Sequence, residues 1–166
     1  MPAFDDDPLR VLRGAQFISR FGVRATADTI ARCARLRSEA GTLPLERIWG
    51  EWEKMLVRGV EPGAGLKMLD ACDWIDLWEP LAALRQVAQD PIWHPEGDVF
   101  EHTALCLDAW AARRPADKQD ALITGLAILC HDLGKPATTR SEKRSTRSPV
   151  CSGSPTPAAP KFRSEE

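Results

Sequence analysis

The chain has 166 residues, a formal net charge of −2, 43% hydrophobic and 28% charged residues. This is ordinary globular composition in a chain long enough to bury a core, and it excludes a globally basic nucleic-acid binder while leaving room for a local basic face. No apolar run approaches the roughly 18 residues of a membrane span, the acidic start over residues 1–7 lacks the regions of a signal peptide, and five cysteines without a Cys-x-x-Cys read as reduced thiols of a cytoplasmic protein with no membrane partner.

Residues 1–139 predict helix after helix. Asp7 and Pro8 mark a start, an acidic N-cap followed by proline at the first helical position, and the helix runs to about Phe21 before Gly22. A second helix is expected from Thr26 to Ser38, a third from Pro44 to Gly59 and a fourth from Pro62 to Cys72. Trp74 to Val87 reads as a broken helical stretch interrupted by Pro80, and Gln89 to Gly97 as a proline-rich loop. Asp98 to Ala112 and Asp117 to Leu133 read as two long helices. No stretch alternates with period two, so the expected class is all-α. Trp49, Trp52, Trp74, Trp78 and Trp110 are expected in the core or at a subdomain interface. From Arg140 to Glu166 the chain is rich in serine and proline, with six basic against three acidic residues, and too poor in apolar residues to offset chain entropy. That tail is expected to be disordered, and residues 1–139 then carry −5.

Two clusters carry chemistry. On the first helix Arg10, Arg13 and Arg20 share a face with Phe17, opposite Val11, Leu12, Ala15 and Ile18, and Asp7 stands one turn before Arg10. Guanidinium forks suit phosphates and base edges, and carboxylates accept from base amino groups. All three histidines, His94, His102 and His131, lie in the C-terminal half. His131 and Asp132 end an apolar helix and can present imidazole and carboxylate to one metal ion, with His102 on the preceding helix as a third ligand. His94, in the loop, reads equally as a phosphate or metal contact or as a structural histidine.

The context of His102-Thr103 on one helix and His131-Asp132-Leu133-Gly134-Lys135 closing the next resembles the HD superfamily of metal-dependent phosphohydrolases. A narrower resemblance covers residues 4–139. Phe4 to Arg13 with Gln16-Phe17 and Arg20-Phe21, then Leu45 to Glu51 with Lys54 and Leu56, are similar to the neck of bacterial CCA-adding enzymes. These are the class II tRNA nucleotidyltransferases, related to poly(A) polymerases. Gln89 to Thr103 and His131 to Thr139 are similar to the HD segment of the same enzymes.

The resemblance implies a helical neck and body over 1–88, which binds nucleotide and RNA, a partial HD domain over 89–139, and a tail over 140–166 that looks frameshifted. It implies Asp7 and Arg10 as readers of the base edge of CTP or ATP, with Asp6 at the other acidic position, where the family often has Glu. Arg13 and Arg20 are inferred to contact phosphate or tRNA backbone. Glu46, Arg47 and Glu51 are expected to hold the neck together. His102, His131 and Asp132 are the implied metal set, for Mn²⁺, Ni²⁺ or Mg²⁺. The family's transfer site, a pair of Mg²⁺-binding aspartates in an α/β head, has no counterpart in this sequence, so no catalytic residue is assigned. The chain is expected to be a fragment that cannot add nucleotides alone, with a separately encoded head as a possible partner beside tRNA and CTP or ATP. Apolar faces over 98–133 are expected to be left exposed. The rival readings are a free-standing HD phosphohydrolase and a non-catalytic RNA-binding module.

Overall fold

A computed structural model describes residues 7–139; Asp6 and the tail from Arg140 onward lie outside the described residues. Eight α-helices follow one another: α1 (Leu9–Phe21), α2 (Ala27–Arg35), α3 (Leu45–Arg58), α4 (Pro62–Ala71), α5 (Glu79–Ala82), α6 (Val99–Ala111), α7 (Lys118–Cys130) and α8 (Lys135–Thr138). Short 3-10 turns cover Leu36–Thr42 and Trp74–Leu77. Among the described residues there is no strand, as the absence of period-two alternation requires. Nor is any described helix long and apolar enough to cross a membrane.

Side chains at the helix starts explain where four of them, α1, α2, α6 and α7, begin. Asp7 accepts from the Leu9 N–H at 3.0 Å, Thr26 from Thr29 at 3.2 Å, Asp98 from Glu101 at 2.9 Å, and Asp117 from Gln119 and Asp120 at 2.8 and 3.0 Å. Each satisfies backbone donors that an open helix end leaves orphaned. Gly22 ends α1 at φ 63°, the left-handed conformation that glycine adopts without strain.

The second helix is shorter than its sequence suggests. It ends at Arg35 and tightens into the 3-10 turn, which turns Leu36 and Ala40 into the core at 6% and 5% exposure. The last long helix stops at Cys130, so His131 is its cap rather than its final turn. Lys135, the last residue of the expected closing segment Leu133-Gly134-Lys135, instead opens the four-residue α8, with Pro136 in the first turn where its missing N–H costs nothing.

Helix α4 lies at the centre, packed on α1 on one side and on α6 on the other. Helix α3 packs on α1, and α7 packs across α6 and α3. One continuous core results, from Leu9, Val11 and Leu12 through Leu56, Leu66 and Leu69 to Phe100, Leu107 and Leu129. Trp74 is fully buried and donates its indole N–H to the Cys33 carbonyl at 2.8 Å. Trp52 meets Trp78 edge-on at 5.0 Å between ring centres, within the range such aromatic pairs favour. Arg114, beyond α6, donates to the Leu56 and Gly59 carbonyls at 2.7 Å each, tying that end of the molecule to the end of α3.

Of the two places expected for it, core or subdomain interface, Trp49 is not in the core: it is 44% exposed, on the rim of an open apolar groove of about 470 Å³ between α3, α5 and α7. Leu45, Ile48, Trp78 and Leu126 line the same groove. Ile123 on α7 and Leu105 on α6 are exposed at 57% and 46%.

The crossing of α4 leaves no room for side chains at two of its glycines. A Cβ on Gly63 would stand 2.2 Å from the Ala104 carbonyl oxygen, and one on Gly65 would stand 2.2 Å from the Ser19 hydroxyl. A Cβ on Gly50 of α3 would meet nothing within 4 Å. Gly63→Ala is therefore expected to destabilise the fold by at least the ~1–3 kcal/mol typical of overpacking. Gly50→Ala is expected to stabilise it by ~0.5–1 kcal/mol through helix propensity. Denaturant midpoints of the two variants, moving in opposite directions, check both.

Candidate functional site

The residues singled out from the sequence lie at two places, along α1 and in the loop and helix ends around His102. At the first, Asp7 is held from two sides. Its Oδ1 accepts from the Leu9 N–H, and its Oδ2 accepts from the Arg47 guanidinium on α3 at 2.6 Å. The Arg47 bond is the largest influence on its acidity; with the Leu9 N–H and the Arg10 charge it holds the carboxyl below its usual value, against some desolvation. An ionised carboxylate has about four acceptor positions, so two remain for a ligand's donors. Arg47 thus ties α3 to the start of α1 through the residue expected to read the base.

Along the same helix, Arg13 is 46% exposed, with its Nε 3.8 Å from the Glu51 carboxylate. Glu51 is buried at 4% exposure and takes its closer cation from Lys54 at 2.9 Å. One turn beyond Gln16, Arg20 lies over the Phe21 ring at 5.0 Å, and Phe21 meets Phe17 edge-on at 5.8 Å. Phe17 and Phe21 are 46% and 61% exposed. The end of α1 is therefore an aromatic and cationic surface, the combination that stacks bases and holds phosphates.

The histidine cluster is closer-knit. The ring centres of His102 and His131 are 5.6 Å apart, and those of His94 and His102 are 4.8 Å apart. One oxygen of Glu96 accepts from the Nδ1 of both His94 and His102, at 3.0 and 2.6 Å. The Glu96 carboxyl is pulled down to about 2, by its own backbone N–H first and then by the two imidazoles. With its Nδ1 proton given to Glu96, His102 presents the lone pair of Nε2, and the Cys106 thiol stands 3.4 Å from that nitrogen. Burial is the main cause that raises the Cys106 thiol above its usual value, followed by the charges of Asp132 and Glu96.

His131 is oriented by its own chain. Its Nδ1 donates to the Ile128 carbonyl at 2.6 Å, which leaves the Nε2 lone pair 3.2 Å from Asp132 Oδ2. Two acceptors at that distance want a cation between or beside them, and the Lys135 ammonium supplies one at 2.8 Å from the same Asp132 oxygen. Lys135 also donates to the Gln89 amide oxygen at 2.9 Å, so the loop before α6 closes on the start of α8.

The structure brings His131 beside His102, with His94 on the other side of the His102 ring, whereas Asp132 lies against His131 and Lys135 and falls in neither group of converging donor atoms. Glu96 and Cys106 were not read as site residues. Their signals were present: Cys106 follows His102 by four residues on α6, the spacing that puts two side chains on one face, and Glu96 lies just before the cap of that helix. One donor atom from each of His102, Cys106 and His131 falls within 4.8 Å of the others, and the same holds for His94, Glu96 and His102. Imidazole, carboxylate and thiol donors with fixed tautomers fit a divalent cation.

No family model matches the chain, and no solved structure matches it. Curated proteins do. The chain is 38% identical over 143 residues to the multifunctional CCA protein of Tolumonas auensis, covering 82% of this chain and 33% of that one. It is 38% identical over 146 residues to the protein of the same name from Xylella fastidiosa strain M12, covering 84% and 34%. It is 37% identical over 147 residues to that of Alcanivorax borkumensis, covering 85% and 34%. The chain spans about a third of the length of the curated relatives it matches.

Asp7→Ala removes a helix cap and an ion pair, and is expected to cost ~1 kcal/mol at neutral pH. Because the folded carboxyl is more acidic than the unfolded one, its contribution is complete above about 3.9, the usual aspartate value, and is lost as pH falls through the lower folded value. The difference between wild type and Asp7→Asn should therefore shrink in acid, as thermal melts at neutral pH and near pH 2–3 (an approximate window from the same reference value) will show.

Proposed function

Because the chain belongs, over the region matched, to the family of CCA-adding proteins, we propose that it contributes nucleotide selection and tRNA contact to tRNA 3′-end synthesis. The neck and body over 7–88 take the first role, and the HD-type segment over 89–139 holds a divalent cation. The observation that carries the reading is the clamped Asp7 with Arg10 one turn along α1. A carboxylate held at a helix start by Arg47 and a guanidinium beside it offer an acceptor and a fork of donors to a base edge, the complement that CTP and ATP require. Arg13 and Arg20, farther along α1, serve the phosphate backbone, and Phe17 and Phe21 offer ring faces to an unstacked base.

The geometry around His131 favours a second activity, phosphoester hydrolysis of the HD type. His102, His131 and Asp132 would hold the cation, which supplies charge stabilisation at a phosphoryl oxygen and a more acidic bound water. Glu96 fixes the ring of His102, the Ile128 carbonyl fixes that of His131, and Lys135 neutralises Asp132 until the ion arrives.

Two measurements test these readings. Calorimetric titration with CTP should show Arg10→Ala binding about ten-fold or more weaker, since a bidentate base contact is worth ~1–3 kcal/mol. Anisotropy of a labelled tRNA lacking its 3′ CCA, followed across a salt series, should give a log–log slope that falls by about one for each of Arg13→Ala and Arg20→Ala. Wild-type binding of neither ligand, or tRNA binding indifferent to salt, overturns the nucleotide and tRNA reading.

A further inference from the structure

The cation site has a sulfur beside it that the His-Asp reading does not use. Cys106 is half-buried on α6, four residues after His102, with its Sγ 3.4 Å from His102 Nε2. Zn–N bonds of ~2.0–2.1 Å and Zn–S bonds of ~2.3 Å, at tetrahedral angles, place the two donor atoms about 3.5 Å apart. The observed separation matches that spacing without movement of either side chain. His131 brings a donor within 4.8 Å of both. The Glu96 carboxylate bonds the far side of the His102 ring, so the nitrogen facing the thiol is the one with the free lone pair.

We propose that Cys106 is a direct ligand of this cation, so that His102, Cys106 and His131 form a thiolate-containing site selective for zinc-class ions over Mg²⁺. This rests on the reading above that the histidine cluster holds a divalent metal, and it adds the ligand that decides which metal. A soft sulfur donor favours Zn²⁺, Co²⁺ or Ni²⁺, whereas Mg²⁺ demands oxygen ligands and keeps its waters. When the ion binds, the Cys106 S–H bond breaks, the proton leaves to solvent, and the sulfur lone pair forms the metal bond. Asp132, paired with Lys135 at 2.8 Å, remains available as a further oxygen donor.

Cobalt is the probe. Co²⁺ is titrated into the full chain, kept reduced, and the absorption spectrum is recorded for wild type, Cys106→Ser and Cys130→Ser, with circular dichroism to check that each is folded. Cys130 is the control because it is exposed beside His131. The expected result is a near-ultraviolet sulfur-to-cobalt charge-transfer band in wild type and Cys130→Ser that is absent from Cys106→Ser. Zinc affinity, read by competition with a chromogenic chelator, should fall in Cys106→Ser by at least the 10–100-fold that losing an outer-shell partner costs. Visible cobalt bands without the sulfur band overturn the thiolate ligand and leave the His-Asp cation site standing. A sulfur band lost in Cys130→Ser and kept in Cys106→Ser assigns the ligand to Cys130 and also overturns the proposal. No cobalt absorption in wild type removes both the thiolate ligand and the cation site, and the wild-type spectrum decides this even if a variant does not fold.

Discussion

Helix α4 touches its neighbours backbone to backbone. At Gly63 it meets the Ala104 carbonyl of α6, and at Gly65 it meets Ser19 and the Ala15 carbonyl of α1, at distances where a methyl group cannot fit. Such close crossings bring the flanking Leu66 and Leu69 into full burial and let polar groups reach across. Asp108 of α6 accepts from the Gly63 N–H at 2.7 Å, covering an N–H in the first turn of α4. The Val60 and Glu61 N–H groups both reach the Ser19 carbonyl near the end of α1, at 2.7 and 2.9 Å. The two candidate sites are therefore carried by α1 and α6, which share α4 as their common support.

The two sites use different physics. At the start of α1 the groups are partly open to water, so Asp7 and Arg47 gain little from each other in energy and more in fixed direction. Around His102 the side chains are more shielded, and direction comes from a chain of hydrogen bonds: Glu96 to both imidazoles on one side, the Cys106 thiol on the other. Lower local dielectric strengthens such a chain and makes each member depend on the next.

Much of this was readable in the residues because helix starts announce themselves locally. Asp7, Thr26, Asp98 and Asp117 each cap a helix within a residue or two of the expected place. The pairing of His102 with His131-Asp132 also followed from their context on successive helices. What escaped depends on distance along the chain. Whether Leu36 and Ala40 continue a helix or tighten into a 3-10 turn is decided by the core they enter, not by their own propensity. Trp49 is apolar enough for the interior, yet the groove beside it exposes it. Glu96 and Cys106 bracket His102 from a loop and from the next helical turn, and their convergence on one ring exists only once α6 has formed.

The loop from Gln89 to Gly97 has a consequence for how the protein can be observed. It is pinned by polar groups alone at its centre: Asp90 takes the Ile92 N–H on its side chain and the Trp93 and His94 N–H groups on its carbonyl, and Glu96 takes the His94 ring. Its two large apolar side chains, Ile92 and Trp93, stand 78% and 79% exposed. Trp93 is thus an indole in water, bonded through the backbone to a histidine of the cluster, whereas Trp74 is fully enclosed and Trp52 nearly so. Their emission differs in colour for that reason alone. The red edge of the intrinsic fluorescence, quenchable by small solutes, is then shared between Trp93 of this loop and the 44% exposed Trp49 at the groove, and comparison with Trp93→Phe isolates the part that reports on the loop beside the histidine cluster.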